Sequence, residues 1–513
     1  LVIEGKINNA EKKINLKLLN NLLGETIKNF NLENLELSSE NDFSFNINKK
    51  YKINNFILKS KINLDNVDYK TQLPFLKNFL PNFNNLIKLQ NHKILINYKK
   101  NVLNIEGKGN ISIKGADDYF DYKLSKDNNG YKFDTIFNIE KNQFLIDALN
   151  YKKNKDLKAS LKLKGIYNKN KQLKFSTILF TDEEKSKFLI NDLNLNKEFK
   201  IFNIVSLKFN FINNDKITNQ IELKKKKEFY KISGKSFDAT KIIENILDNN
   251  DESKSIFSNN FNPKINININ KTYLDNITFV NNLNGIISIK DNKINKMNLD
   301  SIFPNKKKLT LTLNINENNE KITTLFTDYP KPLIKQYKFI KGFEEGVLDF
   351  HSIKKDGISN SVLIIDNFKV KEVPIFAKLL TLASLQGIAD LLTGEGVRFT
   401  DFEMKFSNKK SLMTIDEMYA IGPAVSIMLE GYIEKTKLTS LKGTLVPATT
   451  INRTISSIPL IGNILVGKKT GEGVFGVSFK IKGPPKNLKT TVNPVKTLTP
   501  RFITRTLEKI KKD

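Results

Sequence analysis

The residues that could do chemistry in this chain are few, and their spacing does not assemble them. The best match to a reactive motif is Gly462-Asn-Ile-Leu-Val-Gly467-Lys468-Lys469-Thr470, one residue from a phosphate-binding loop. That loop needs a hydroxyl directly after its lysine to hold Mg²⁺, and Lys469 stands there. The context is also reversed, with an apolar helical stretch before and a strand-like stretch (474–481) after, so the segment reads as a helix C-cap and turn. Carboxylates come in adjacent pairs, Asp117-Asp118, Glu183-Glu184 and Glu344-Glu345. Neighbours on a strand point to opposite faces and cannot share a substrate. His351 follows Phe350 with no nucleophile elbow nearby. There is no Cys and no Trp, and the only other histidine is His92. Disulfides, thiol catalysis and zinc-finger spacings are therefore absent. No catalytic residue, metal ligand or cofactor is assigned, and the chain reads as non-enzymatic.

The elements around these residues are overwhelmingly strand-like. From Leu1 to about Asp366 apolar and polar residues alternate: Phe43-Ser-Phe45-Asn-Ile47, Leu207-Lys-Phe209-Asn-Phe211, Ile265-Asn-Ile267-Asn-Ile269, Leu309-Thr-Leu311-Thr-Leu313. A period of two gives one apolar and one polar face per strand. Asn128-Asn-Gly130, Asn281-Asn-Leu-Asn-Gly285, Asp291-Asn292 and Asn318-Asn319 read as the turns between strands. A second apolar face is missing, which argues against a stacked sandwich. The pattern predicts a mostly β fold: a long, curled, antiparallel sheet over its own apolar face, forming an elongated hydrophobic groove. Short helices are expected at 73–80 and 238–247, with the rest concentrated in the C-terminal region. The expected organisation is a first groove segment (1–247), a polar loop (248–263), a second groove segment (264–372), a C-terminal region with inserted helices (373–498) and a terminal helix (499–513). At ~4.8 Å between strands, roughly 30 strands would run on the order of 140 Å.

Charge is the other strong signal. The net charge is +29, but 79 of the 83 basic residues are Lys and only Arg398, Arg453, Arg501 and Arg505 are Arg. Nucleic-acid readers lean on Arg forks, and no DNA- or RNA-binding motif is present. Most of the Lys reads as solvated strand face, with attraction to anionic headgroups open. No run of about 18 apolar residues is present to span a membrane. The chain begins Leu1-Val2-Ile3-Glu4, which gives it the look of a fragment with an anchor upstream.

After Val373 the text changes, and 15 of the 24 Gly lie beyond Lys341. Phe376-Ala-Lys-Leu-Leu-Thr-Leu-Ala-Ser-Leu-Gln-Gly-Ile-Ala-Asp-Leu-Leu392 leads into Thr393-Gly-Glu-Gly396. Gly443-Thr-Leu-Val-Pro447, Ile458-Pro-Leu-Ile-Gly-Asn-Ile-Leu465, Gly483-Pro-Pro-Lys-Asn-Leu488 and Val492-Asn-Pro-Val495 follow. Over about 140 residues this order resembles the C-terminal region of AsmA-like proteins, most closely the YhdP-type branch. Those proteins are in turn similar to bridge-like lipid transfer proteins. The resemblance implies a Gram-negative envelope protein, anchored in the inner membrane by an N-terminal helix and lying mostly in the periplasm. It implies phospholipid transport between inner and outer membrane along the groove. Phe209, Phe211, Ile265, Ile267, Ile269, Leu309, Leu311 and Leu313 are the candidate groove residues. The alternatives are a scaffold for outer-membrane protein assembly, offering sheet edges to clients, and an extracellular adhesin with a filled β core.

The chain closes on a candidate helix. Thr499 suits an N-cap and Pro500 the first helical position. Phe502, Ile503, Leu507 and Ile510 share a face flanked by Arg501, Arg505 and Lys509. This face is expected to contact a membrane, an envelope partner, or the end of the β structure it would cap.

Overall fold

The structure is a computed structural model. It describes residues 1–10, 13–16, 32–71, 74–81, 83–113, 115–168, 172–247, 257–258, 261–334, 341–372, 396–435, 437–447, 477–484 and 487–493. Strand accounts for 73% of the described residues and helix for 4%, so the mostly β expectation holds. The chain divides into two compact units, Leu1–Leu283 with Ser288–Lys293, and Asn284–Ile287 with Ile294–Asp513. The boundary falls within the strand Phe279–Lys290.

In the first unit, consecutive strands pair as a meander from Val2–Asn9 and Leu32–Ile47 onward to Tyr230–Asp238. The expectation of a long, curled, antiparallel sheet is corrected here: the sheet is mixed, and no curl is found among the described residues. Tyr230–Asp238 pairs in parallel with Lys264–Tyr273. Parallel neighbours need a crossover of a dozen or more residues, and residues 239–263 supply it. The crossover opens with the helix Thr240–Leu247, close to the expected 238–247. Asp238 caps its start, accepting bonds from the Thr240 N–H at 3.0 Å and the Thr240 hydroxyl.

In the second unit the strands from Lys293–Ile302 to Lys489–Asn493 form an antiparallel meander. The expected concentration of helices toward the C-terminus is not what the described residues show. Their helical segments are Pro74–Asn78, Asp147–Leu149, Thr240–Leu247 and Lys331–Ile334. The helices expected at 376–392, 458–465 and 499–512 lie outside the described residues.

One hairpin design recurs. An Asn or Asp at the end of a strand accepts backbone N–H groups two and four residues on, and the residue three on adopts a left-handed conformation. Asn48 takes the N–H of Lys50 and Lys52, with Tyr51 at φ 57°. Asn196 takes Glu198 and Lys200, with Phe199 at 59°. Asn316 takes Asn318 and Glu320, with Asn319 at 57°. Asn213 and Asp182 make the fourth-residue bond alone. This is the three-residue hairpin that matches strand twist, so part of the Asn-rich composition is turn chemistry. Asn281 to Gly285, expected to be a turn, instead lies inside the strand Phe279–Lys290. Asn282, at φ 53°, absorbs the irregularity without breaking the strand.

Candidate functional site

Register turns the alternation of single strands into continuous apolar rows, because directly paired residues share a face. In the second unit Leu311 stands opposite Leu299 on one side and Leu325 on the other. Leu325 faces Phe350, Phe350 faces Leu363, Leu363 faces Met404 and Met404 faces Met418. The row continues through Leu429, Gly443 and Phe479. From Leu299 to Leu429 every member is only half-buried. A parallel row two residues along is mostly closed: Leu348, Ile365, Ala420, Ile427, Leu445 and Val477 are buried, Leu445 fully, and Phe402 between Ile365 and Ala420 is half-buried. The opposite face is mostly polar, with Thr312 bonded to Thr324 and Thr310 to Asp300. Phe326 and Ile364 are exposed exceptions.

The first unit repeats the arrangement. Leu163, Ile178, Ile190 and Leu207 pair in succession, then Leu223, Ile232 and Ile267. All seven are half-buried. Beside them run Phe180, Phe188, Phe209, Ile221, Gly234 and Ile269. The sequence therefore placed Phe209, Phe211, Ile265, Ile267 and Ile269 on one face, and Leu309, Leu311 and Leu313 on the corresponding face of the second unit. Their burial is unequal. Phe211, Ile269 and Leu313 are buried, while Phe209, Ile265, Ile267, Leu309 and Leu311 are half-buried. Arg501, Phe502, Ile503, Arg505, Leu507, Lys509 and Ile510 lie outside the described residues.

The two ends of the first unit's strands differ. At one end the apolar face is covered by a short hairpin, Phe144–Ile146 with Tyr151–Lys153. The Phe144 ring stacks on Phe180 at 5.0 Å, and Tyr151 packs edge-on against Phe188 at 4.9 Å and Phe211 at 5.8 Å. A polar knot pins the hairpin. Lys153 is fully buried, and its ammonium donates to the carbonyls of Glu140 at 2.7 Å and Asn142 at 2.8 Å. Asp118 accepts the N–H groups of Glu140, Lys141 and Asn142. Burial lowers the Lys153 pKa, and the nearby carboxylates, led by Asp118, oppose that. Tyr151 donates to Asp182, and burial raises its pKa. Each group here is satisfied structurally, and the Asp117-Asp118 pair divides as a strand requires.

At the other end Phe257 and Phe261 cover the face beside Ile201, Ile204 and Tyr230, but from Val2–Asn9 to Gly130–Ile139 it is open. Gly5, Phe43, Leu58, Tyr98 and Leu103 form the row there, continued by Lys126, Tyr131 and Tyr167. Phe56 is 38% exposed and Tyr131 43%. Ile7, Asn41, Phe43, Phe45, Phe56 and Leu58 line an open, almost wholly apolar cleft of about 360 Å³. Periodicity had marked Phe43 and Phe45 as strand residues. Phe56, Tyr98 and Tyr131 carried no signal as a group, because only register brings them to the same end of one face.

No family model and no curated protein matches the chain. Among the described residues no group of three or more His, Cys, Asp or Glu is placed to hold a metal, and no helix is long and apolar enough to cross a membrane.

Proposed function

We propose that the apolar face is a lipid-binding surface, and that the chain moves phospholipid along it in the manner the AsmA-like resemblance implies. The observation that carries this reading is the long half-buried apolar row in each unit, Leu163 to Ile267 and Leu299 to Leu429. Fully burying a Leu or Ile side chain gains ~1.5–3 kcal/mol, and a half-exposed one forgoes much of that. Ile178, Ile190, Leu207 and Leu223 also pack against the buried Ile204, Tyr230 and Phe261, and the stretches of row beyond such cover are an unmet demand for apolar contact. An acyl chain is a long, featureless apolar rod suited to a row with no specific pocket. In this reading the acyl chains lie along the apolar face and the headgroups stay in water. Cell-envelope placement, an inner-membrane anchor and a contact through Arg501 to Ile510 with the outer membrane or an envelope protein belong to the same proposal. The protein acts without chemistry, as a conduit.

The test is to purify the chain without detergent and extract it with organic solvent. Phospholipid at or above one molecule per chain is expected by mass spectrometry. A lipid-free, folded and monodisperse protein that takes up none from donor vesicles would overturn the reading.

A further inference from the structure

The first unit's two sheet edges carry different charge. Consecutive antiparallel strands turn at alternate edges, so the turns at 48–52, 100–101, 128–129, 196–200 and 226–229 lie along one edge. Beside the turns at 48–52, 100–101 and 128–129 the apolar face is open, and Phe56, Tyr98 and Tyr131 stand there, whereas beside those at 196–200 and 226–229 Phe257 and Phe261 cover it. Lys50, Lys52, Lys100, Lys197, Lys226 and Lys227 project from this edge, all exposed and, among the described residues, none with a carboxylate partner. The acids of these turns are Asp127, Glu198 and Glu228, of which Asp127 is paired with Lys132 and Glu198 with Lys200. The opposite edge is covered by the Tyr151–Lys153 hairpin and is mixed in sign, with Glu140, Asp147, Asp156, Asp182, Glu183 and Glu184 among its lysines.

We infer that the first unit takes an anionic amphiphile in one orientation: chains across the open apolar face, phosphate at the lysine edge. This rests on the lipid-binding reading and adds headgroup class and polarity to it. Three observations converge. The face is closed at the acidic and mixed edge, so a polar headgroup has its way to water at the basic one. Tyr98 and Tyr131 stand in the last row before the turns that carry the lysines, and an aromatic body with a polar tip suits the headgroup level. The Lys126 ammonium lies 5.2 Å from the Tyr131 ring centre, so cation and aromatic already share that strip. Lysine presents a mobile point charge, adequate for a phosphate that slides past and unlike the bidentate grip of Arg. The occupant is thus a phospholipid of net negative charge, preferred over a zwitterionic one with the same chains.

The experiment is calorimetric titration of the full chain with short-chain phosphatidylglycerol and phosphatidylcholine, both below their micelle concentrations. Phosphatidylglycerol is expected to bind on the order of tenfold more tightly at low salt, since each nearby Lys attracts an anionic headgroup. The preference should collapse in ~0.5 M salt. It should also vanish when Lys50, Lys52, Lys100, Lys197, Lys226 and Lys227 are all changed to Gln, with phosphatidylcholine binding unchanged. A control variant changes Lys59, Lys61, Lys93, Lys108, Lys208 and Lys231 to Gln. These lie on the polar face, and the control should keep the preference at the same net charge. Equal binding of the two lipids by the unmodified chain, or loss of preference in the control alone, would overturn the inference and leave lipid binding standing. Binding to phosphatidylglycerol vesicles without binding of the monomeric lipid would overturn it in favour of a membrane-docking edge. Binding of neither lipid in any form would remove the underlying reading as well.

Discussion

The Tyr122 ring lies flat over Gly107 on the neighbouring strand: a Cβ on Gly107 would sit 2.4 Å from the Tyr122 Cζ. The two are directly paired. The same device recurs where Phe43 covers Gly5 and Phe479 covers Gly443. An aromatic ring over a cross-strand glycine fills the apolar row without a second layer.

Gly107→Val should therefore displace Tyr122 and cost ~1–3 kcal/mol. Gly115 offers a contrast, since a Cβ there meets nothing within 4 Å and only its φ of 81° opposes substitution. Gly115→Ala should cost about 1 kcal/mol. Urea unfolding followed by circular dichroism measures both. Equal costs would contradict the stacking account.

Lys153→Met should cost ~2–4 kcal/mol despite matching the volume, because two buried carbonyls lose their donor. The loss should be local as well as global. Hydrogen exchange is expected to rise first in residues 140–153, where the pinned hairpin covers Phe180 and Phe188.

His92 makes stability depend on pH. It is 1% exposed, its Nε2 donates to the Asn110 carbonyl at 2.9 Å, and its Nδ1 is buried without a partner. Burial pushes its pKa below the ordinary 6.5, against the opposing effect of the Asn110 bond. The folded state then binds fewer protons than the unfolded chain below pH 6.5. Its stability contribution is complete above that value and is lost as pH falls toward the folded pKa. Across that window unfolding free energies should fall more steeply for the native chain than for His92→Phe, by at most ~1.4 kcal/mol per pH unit. Parallel profiles would show that His92 does not titrate there.

The strand faces were legible in the sequence because a period of two needs no partner. Ile265, Ile267 and Ile269 alternate whatever lies beside them. The helix at Thr240–Leu247 was legible for a similar local reason, a short helical stretch that needs no partner strand. Register was not legible. That Leu311 meets Leu325 and then Phe350 depends on hairpin geometry set by residues such as Asn316. The parallel pairing of Tyr230–Asp238 with Lys264–Tyr273 was hidden because direction is fixed by a crossover. Lys153 read as one more solvated lysine, and only the fold encloses it between two carbonyls.

Burial grades the rows, and a charge placed on them should report it. Leu311→Asp sits on the half-buried row, where the carboxylate reaches water, and should cost under ~1.5 kcal/mol. Leu445→Asp would bury an unpaired charge and should cost ~3–5 kcal/mol or prevent folding. Comparable losses at the two sites would mean that the face is filled throughout.

The central claim is that lipid occupies the half-buried rows, and the most direct measurement places a photo-crosslinking amino acid singly at Ile267, Leu311, Asn268 and Thr312 in living cells. Irradiation should give lipid adducts at Ile267 and Leu311 and none at Asn268 or Thr312, one residue away on the polar face. Equal labelling on both faces, or no lipid adduct at Ile267 and Leu311 in a folded protein, would contradict the account.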